Sequence, residues 1–239
     1  MSSQAAVLSS ASGSALRLEE FDSFGVSFGE RGSRTNPSLD IIRRLLSGET
    51  VTYKSDFFNF KNIKVTPEPI QKPHPPIWLG GFTPAALRRA ARYGDGFTVP
   101  GATRDVYDQY VAELKKQNRP TENIRFASAV WCLIVSKNPE KTFAEAADHI
   151  IYQANNYSAW LSAAGLSPLS EHLRDREQLR QSGLLQVVDP DTAIKLIRDF
   201  ANNVPITHFY SWTVPPGLPP RWAQTHLELF ASEVIPAFR

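Results

Sequence analysis

The sequence predicts an α/β protein with a parallel sheet. From residue 75 onward, short apolar runs alternate with helical segments of ten or more residues. This alternation requires parallel pairing through right-handed crossovers. The apolar runs do not alternate with polar residues, as expected for strands that are covered on both faces. Four such strands are recognisable, half the number that a closed (β/α)₈ barrel contains.

Three elements are expected before this alternation begins. Residues 37–46 form one apolar stripe and predict a helix, with Pro37 at its first position and Gly48 just after its end. Residues 50–53 and 57–65 alternate loosely, which is typical of a surface hairpin.

The alternating part is predicted strand by strand and helix by helix. The strands lie at residues 77–79, 97–99, 125–136 and 207–213. The helices are predicted at residues 84–93, 104–117, 139–163, from 189–190 onward, and 219–238. Residues 165–188 show no regular period and are interpreted as an irregular segment.

Composition limits the classes of partner. A chain of 239 residues fits one domain, here residues 16–239, preceded by an uncharged Ser- and Ala-rich lead-in at residues 1–15 that we expect to be disordered. The net charge of +2, without a basic run, predicts no nucleic-acid partner. The longest apolar run, residues 126–135, is too short to span a bilayer, so no membrane association is expected.

Compartment and metal content follow from similar arguments. The lead-in lacks the basic start and the long apolar stretch of a secretory signal, and we expect a cytoplasmic protein. The single cysteine, Cys132, excludes an intrachain disulfide and a cysteine-based zinc site. No two of the five histidines pair with each other or with a carboxylate at metal-ligand spacing, so no metal is predicted.

The turn after the first of these strands is the strongest candidate for a binding site. The strand closes on Gly80 and Gly81, Phe82 follows, and Thr83 and Pro84 match the N-cap and the first position of a helix. Glycines allow close approach of a ligand to the backbone, and a helix start presents N–H groups to an anion. A phosphate site is therefore reasonable, although a tight turn without a ligand explains the same pattern.

The end of the next strand supplies further candidates. Thr98, Pro100 and Gly101 lie at this end, and ligands of parallel α/β folds collect beyond the carboxyl ends of the strands. Thr98 bonds either a ligand or its own backbone, and the spacing leaves both alternatives open. Asp95 precedes the strand and is interpreted as a turn residue. Trp212, at the end of the last strand, is suited to flank a planar ring or to pack in the core.

Several stretches of this chain resemble the luciferase-like flavin monooxygenases. They are residues 43–49 (RRLLSGE), 57–60 (FFNF), 67–69 (PEP), 72–81 (KPHPPIWLGG), 85–96 (AALRRAARYGDG) and 229–236 (LFASEVIP). The resemblance covers roughly residues 16–239 and is specific in the central block. It implies a TIM-barrel-derived fold, of which about four parallel strands are recognisable as a partial (β/α) barrel.

The resemblance also implies a cofactor and an activity. Family members bind reduced FMN, or in some branches a deazaflavin, and oxidise small organic substrates with or without dioxygen. They commonly hold the cofactor phosphate near the turn at Gly80, Gly81 and Phe82 and near the segment containing Thr98, Pro100 and Gly101. A flavin reductase is the expected protein partner.

One departure from the family leads to an alternative function. Family chains usually carry about four more strands before the position of Leu16, so the chain is expected to be an N-terminally truncated member. The catalytic residues are therefore unknown. An open sheet exposes apolar edges, which predicts a homo-oligomer through that edge. The alternative to an active enzyme is a noncatalytic protein that acts as a binding module or a partner subunit.

Overall fold

The computed structural model describes residues 10–12 and 17–238. Within these residues the chain divides into two compact units. The first contains residues 10–12, 19–99 and 108–126, and the second contains residues 17–18, 100–107 and 127–238. The lead-in predicted at residues 1–15 lies outside the described residues, apart from the strand at Ser10–Ser12.

The strands and helices follow one another in the predicted α/β order. The strands are β1 (Ser10–Ser12), β2 (Val51–Lys54), β3 (Asn59–Ile63), β4 (Ile77–Gly80), β5 (Gly96–Pro100), β6 (Phe126–Val135), β7 (Leu185–Val188) and β8 (His208–Trp212). The α-helices are α1 (Leu18–Ser23), α2 (Arg31–Leu46), α3 (Pro84–Tyr93), α4 (Arg104–Lys116), α5 (Pro139–Ala163), α6 (Arg176–Ser182), α7 (Pro190–Asn203) and α8 (Gln224–Leu229).

Parallel pairing dominates both units. In the first unit β4 pairs in parallel with β1 and with β5, and β2 and β3 form the predicted antiparallel hairpin. In the second unit β6 pairs in parallel with β7 and with β8. The four predicted strands, β4, β5, β6 and β8, are all present. The α/β class and the parallel sheet are therefore confirmed.

Strand β6 is covered by helices on both faces. Cys132 and Ile134 belong to one core cluster with residues of α5, and Leu133 and Val135 belong to another with residues of α7 and α8. Consecutive side chains of a strand point to opposite faces, so α5 covers one face and α7 and α8 cover the other. This explains why the sequence of β6 is continuously apolar.

The backbone of β6 is bonded partly to loop backbone and partly to side chains. Gly101 N–H donates to the oxygen of Ala129 at 2.8 Å. Further along, Leu133 N–H donates to Ser211 Oγ at 2.6 Å, and Val135 N–H donates to His226 Nδ1 at 2.7 Å. A buried N–H without a partner is costly. Ser211, a residue of β8, and His226 therefore supply side-chain acceptors for these two amides.

Helix α2 begins earlier than predicted, at Arg31, so Pro37 lies inside the helix and not at its start. The turn before Pro37 is held from outside the helix. Arg89 Nε donates to Asn36 Oδ1 at 2.9 Å, and its Nη2 donates to the oxygen of Gly32 at 3.3 Å. These bonds offset the amide hydrogen bond that proline cannot make.

The segment predicted to be irregular, residues 165–188, contains a helix and a strand, so that interpretation was wrong. The side chain of Asp175 caps α6, and Gly183 ends it in the left-handed region at φ 68°. Strand β7 then pairs with Cys132–Val135 of β6. A seven-residue helix and a four-residue strand are too short to show a period in the sequence.

The last helix, predicted as one element at residues 219–238, is also divided. Helix α8 is preceded by a 3₁₀ turn at Pro220–Ala223 and followed by a π-helical turn at Phe230–Val234 and a 3₁₀ turn at Ile235–Phe238. The buried members of this stretch include Ala223, His226, Leu229 and Val234. The burial of these side chains and the bond of His226 to β6 therefore accompany the change from α-helical to 3₁₀ and π-helical turns.

The bond between His226 and Val135 predicts a pH-dependent stability. Burial lowers the pKa of His226 to about 4 from 6.5, so the unfolded chain binds a proton in this range and the folded protein does not. The free energy of unfolding therefore falls as the pH is lowered from about 6.5 to about 4, by on the order of 2 kcal/mol. Urea unfolding at a series of pH values measures this loss.

The variant His226→Asn keeps an acceptor for Val135 N–H but does not titrate, so it should lack this part of the pH dependence. His172→Asn, at an exposed position, is the matched control and should behave like the unmodified protein. If His226→Asn and His172→Asn had the same pH profile, the assignment would be wrong.

Candidate functional site

The turn between β4 and α3 has a backbone that only glycine fits. Gly81 has φ +148°, and a Cβ there would lie 2.5 Å from the Cβ of Ala86. A Cβ on Gly80 would lie 3.1 Å from the oxygen of Thr98. The close approach of the turn to α3 and to β5 leaves no room for a side chain. Both glycines are therefore explained by packing alone, before any ligand is considered.

The start of α3 is capped by its own side chain. Thr83 Oγ1 accepts from Ala86 N–H at 3.3 Å, and Pro84 has no N–H. By contrast, within the described part of the chain, no hydrogen bond involves the N–H groups of Gly81 and Phe82. The Phe82 side chain is 53% exposed. The unused backbone donors therefore lie in the Gly–Gly turn, just before the first turn of the helix.

Thr98 lies directly beside this turn. It pairs in register with Gly80, and its side chain is half-buried. The residue before it, Phe97, is fully buried and stacks on Tyr110 with ring centroids 5.1 Å apart. Burial raises the pKa of Tyr110 to about 12, so this ring remains a neutral part of the core. Strand β5 thus rests on a rigid aromatic base that fixes the position of Thr98.

Asp95 connects the opposite ends of the same two strands. Its carboxylate accepts from Ile77 N–H at 2.9 Å, and its own N–H donates to the oxygen of Ile77 at 2.7 Å. His74 Nδ1 lies 3.7 Å from the same carboxylate. Asp95 therefore holds the start of β4 against the start of β5, as its interpretation as a turn residue predicts.

Pro100 and Gly101 belong to the second unit. Gly101 has φ +64°, with no atom within 4 Å of a Cβ built on it, and its N–H is already bonded to Ala129. Pro100 has no N–H. Neither residue offers a free backbone donor. Of the six predicted site residues, the first unit thus brings together Gly80, Gly81, Phe82 and Thr98.

An aromatic cluster at the end of β8 was only partly anticipated. Trp212 packs against Trp131 of β6 with ring centroids 4.6 Å apart, and Tyr157 meets Trp131 edge-on at 5.0 Å. The indole nitrogen of Trp131 is buried and has no hydrogen-bond partner among the residues that the structure describes. From the sequence, only Trp212 of this cluster was predicted to flank a planar ring or to pack in the core. A tryptophan within the apolar run of β6 was the signal for its neighbour.

Metal-ligating clusters and membrane-spanning helices are both absent from the described residues. These residues contain no group of three or more metal-ligating side chains arranged to hold an ion. None of the helices in the same residues combines the length and the hydropathy needed to cross a membrane.

Comparison with protein families gives one match. The model of the luciferase-like monooxygenases matches residues 12–203, which include both strands and the turn of the candidate site in the first unit. It also includes β6, β7 and all of α7.

Among solved structures, the chain resembles a monooxygenase (RslO1) from Streptomyces bottropensis, with a TM-score of 0.74, 20% identity and coverage of 96% of this chain and 68% of that one. It also resembles an F420-dependent secondary alcohol dehydrogenase, with a TM-score of 0.69, 18% identity and coverage of 96% of this chain and 69% of that one. A third similar structure is the coenzyme F420-dependent tetrahydromethanopterin reductase from Methanopyrus kandleri, with a TM-score of 0.67, 17% identity and coverage of 96% of this chain and 74% of that one. At these identities the likeness concerns the fold.

Curated relatives match a shorter part of the chain. Uncharacterised proteins of Mycobacterium tuberculosis and Mycobacterium bovis are 37% identical over 98 residues, which is 41% of this chain and 33% of each relative. The match thus spans about one third of the length of these relatives.

The Gly81 geometry predicts a large effect of a single methyl group. Gly81→Ala should lower the free energy of unfolding by about 2–4 kcal/mol, because the new Cβ meets Ala86 in a backbone conformation that alanine rarely adopts. Gly165 also has a positive φ, of 74°, but no neighbour within 4 Å of its Cβ. Gly165→Ala should therefore cost only about 1 kcal/mol. Equal losses in urea unfolding would refute the packing argument.

Proposed function

Since the chain belongs to the luciferase-like monooxygenase family, we propose that it is a flavin-dependent oxidoreductase. Its reaction is the oxidation of a small organic substrate by dioxygen with reduced FMN as the cofactor. A separate flavin reductase supplies the reduced cofactor. The single observation that carries the proposal is the glycine turn after β4, which combines a close backbone approach with unused N–H donors.

The turn fits the phosphate end of a flavin. The N–H groups of Gly81 and Phe82 have no partner within the described residues, and backbone N–H groups in such turns bind oxyanions. Glycine at position 81 keeps the approach free of a side chain. Residues Gly80, Gly81, Phe82 and Thr98 of the first unit would hold this end of the cofactor.

The protein's contribution is binding and orientation. Reduced flavin, when bound, supplies the two electrons with which dioxygen oxidises the substrate and forms water. Asp95 and the core beneath Phe97 keep β4 and β5 in register, so the turn has one fixed geometry. The Phe82 side chain beside these donors is 53% exposed. We assign no residue to the chemical step.

A deazaflavin is the alternative cofactor. Two of the similar structures are proteins named as F420-dependent, and a phosphate-bearing tail of either cofactor suits the same backbone donors. Parallel titrations with FMN and with F420 decide between them, because only the resident cofactor should bind at micromolar concentration.

A noncatalytic role is the second candidate function. It is favoured by the coverage of both faces of β6 by helices, whereas a strand of a closed barrel turns one face to the barrel interior. In this case the protein acts as a binding module or a partner subunit and associates through the edge of its sheet. Sedimentation analysis would then show an oligomer, and turnover would be absent.

Cofactor binding is best tested with a matched pair of substitutions at Phe82, which is exposed and tolerates polar side chains. Phe82→Asp places a negative charge beside the free N–H groups, and Phe82→Asn is neutral and of the same size. In titrations followed by flavin fluorescence, Phe82→Asp should bind FMN at least about tenfold more weakly than Phe82→Asn, since like charges repel.

The same affinity for both variants would show that the phosphate does not lie at this turn. If the unmodified protein bound neither FMN nor F420 at micromolar concentration, the noncatalytic candidate would replace the enzyme.

Activity is tested by oxygen uptake. With NAD(P)H, a flavin reductase and FMN, oxygen consumption should rise when a substrate from a panel of small organic compounds is added. Catalase returns oxygen only from hydrogen peroxide. The additional oxygen uptake should therefore persist in the presence of catalase, because this oxygen is incorporated into the product. Uptake that does not depend on the added compound contradicts the monooxygenase proposal.

A further inference from the structure

A cavity in the second unit has no role in the proposed cofactor site. Its volume is about 1160 Å³, slightly above the usual range for small-molecule sites. One wall is formed by the end of β6 and the start of α5, and the other by residues 219–232, including Trp222 and His226. Polar and aromatic side chains therefore meet at a strand end, where α/β proteins place ligands.

His226 presents a fixed donor in this wall. Its Nδ1 accepts the N–H of Val135 at 2.7 Å, so in the neutral ring the proton is on Nε2. The residue is only 4% exposed. No hydrogen bond to Nε2 exists among the residues that the structure describes. A histidine that is almost fully buried thus retains one unused N–H where it lines the cavity.

The start of α5 adds a positive electrostatic potential. Ser136 Oγ accepts from Asn138 N–H at 3.0 Å and bonds the hydroxyl of Thr142 at 2.8 Å, and Asn138 caps the helix. The helix that begins here has 25 residues. Its macrodipole and the hydroxyl groups at its start favour a negative group in the cavity.

The charged side chains of the lining favour the same sign. Three cations, Lys137, Lys141 and Arg221, line the cavity together with two anions, Glu145 and Glu228. Glu145 already accepts the indole N–H of Trp222 at 2.9 Å. Arg221 is exposed and has no ion pair within the described ranges. Lys137 is paired with Glu233 at 3.4 Å and Lys141 lies 4.0 Å from Glu145, so Arg221 is the cation of the lining that is available to an anionic ligand.

Trp222 provides an apolar surface of fixed orientation. The bond from its Nε1 to Glu145 holds the ring in place along the cavity wall. An indole held in this way offers a flat face for an aromatic ligand at little entropic cost.

We propose that this cavity binds a small aromatic carboxylate. Its carboxylate group accepts the N–H of His226 Nε2 and is balanced by Arg221 and the start of α5, and its ring packs on Trp222. This site goes beyond the flavin site of the proposed function and does not depend on it, because all the residues involved belong to the second unit.

The probe is 2-naphthoate, with neutral 2-naphthamide and cationic 2-naphthylmethylammonium as comparison ligands. Isothermal titration calorimetry on the full chain should show one saturable site for naphthoate, weaker binding of the amide and none of the cation. Arg221→Gln and His226→Asn should each weaken naphthoate binding by about tenfold, as expected for the loss of a charged or charge-assisted contact.

Arg174→Gln, another exposed arginine of the same unit outside the cavity, is the control and should leave binding unchanged. The ¹⁵N-coupled signal of His226 Nε2–H should shift on addition of naphthoate, whereas a purely structural histidine would show no shift.

Three results would overturn the proposal. They are the absence of saturable naphthoate binding at millimolar concentration, equal binding of the three charge types, and unchanged affinity in Arg221→Gln. Arg221 is exposed, so this variant decides the question even if His226→Asn fails to fold. Loss of FMN binding has no bearing on the outcome, which separates this test from that of the proposed function.

Discussion

Strand β6 is buried on both faces, and its backbone amides must therefore find partners inside the protein. Much of the second unit follows from this requirement. Strand β7 pairs with Cys132–Val135 along one edge. Elsewhere along the strand, the side chains of Ser211 and His226 accept hydrogen bonds from the amides of Leu133 and Val135. The C-terminal segment at residues 219–238 packs against the strand, and its His226 accepts the hydrogen bond of the Val135 amide.

The same requirement gives His226 its chemistry. A ring that accepts a backbone N–H through Nδ1 has its other nitrogen protonated, and burial lowers its pKa to about 4. The residue thus remains a neutral donor over the physiological range. The residue lines the cavity at the start of α5. A side chain that is structural on one side of the ring is therefore available for recognition on the other.

In the first unit, both ends of β4 are held by specific contacts. Asp95 ties together the starts of β4 and β5, and Gly80 and Gly81 close the other end of β4 against Thr98 and Ala86. Because both ends are constrained, the amides of Gly81 and Phe82, which have no partner within the described residues, have a defined position. A flavin phosphate is the ligand that the family relationship favours for them. The glycines by themselves prove only close packing.

Local signals predicted much of the fold. Helix α3 begins where Thr83 and Pro84 predict, and α5 begins at residue 139 as predicted, since a cap and a proline act within one turn. The errors have a different origin. The start of α2 depends on Arg89, more than 50 residues away in the chain, and β7 becomes a strand only beside β6. Such contacts leave no periodic signal in the segment itself.

By itself the sequence determined the α/β class, the family, the capped helices and the glycine turn, because each of these depends on residues that are close along the chain. Only the tertiary structure decided which amides of the turn lack a partner and which nitrogen of His226 is free. Val135 and His226 are 91 positions apart. Burial and tautomeric state arise when such distant residues meet, so the chemistry of both candidate sites was decided by the fold.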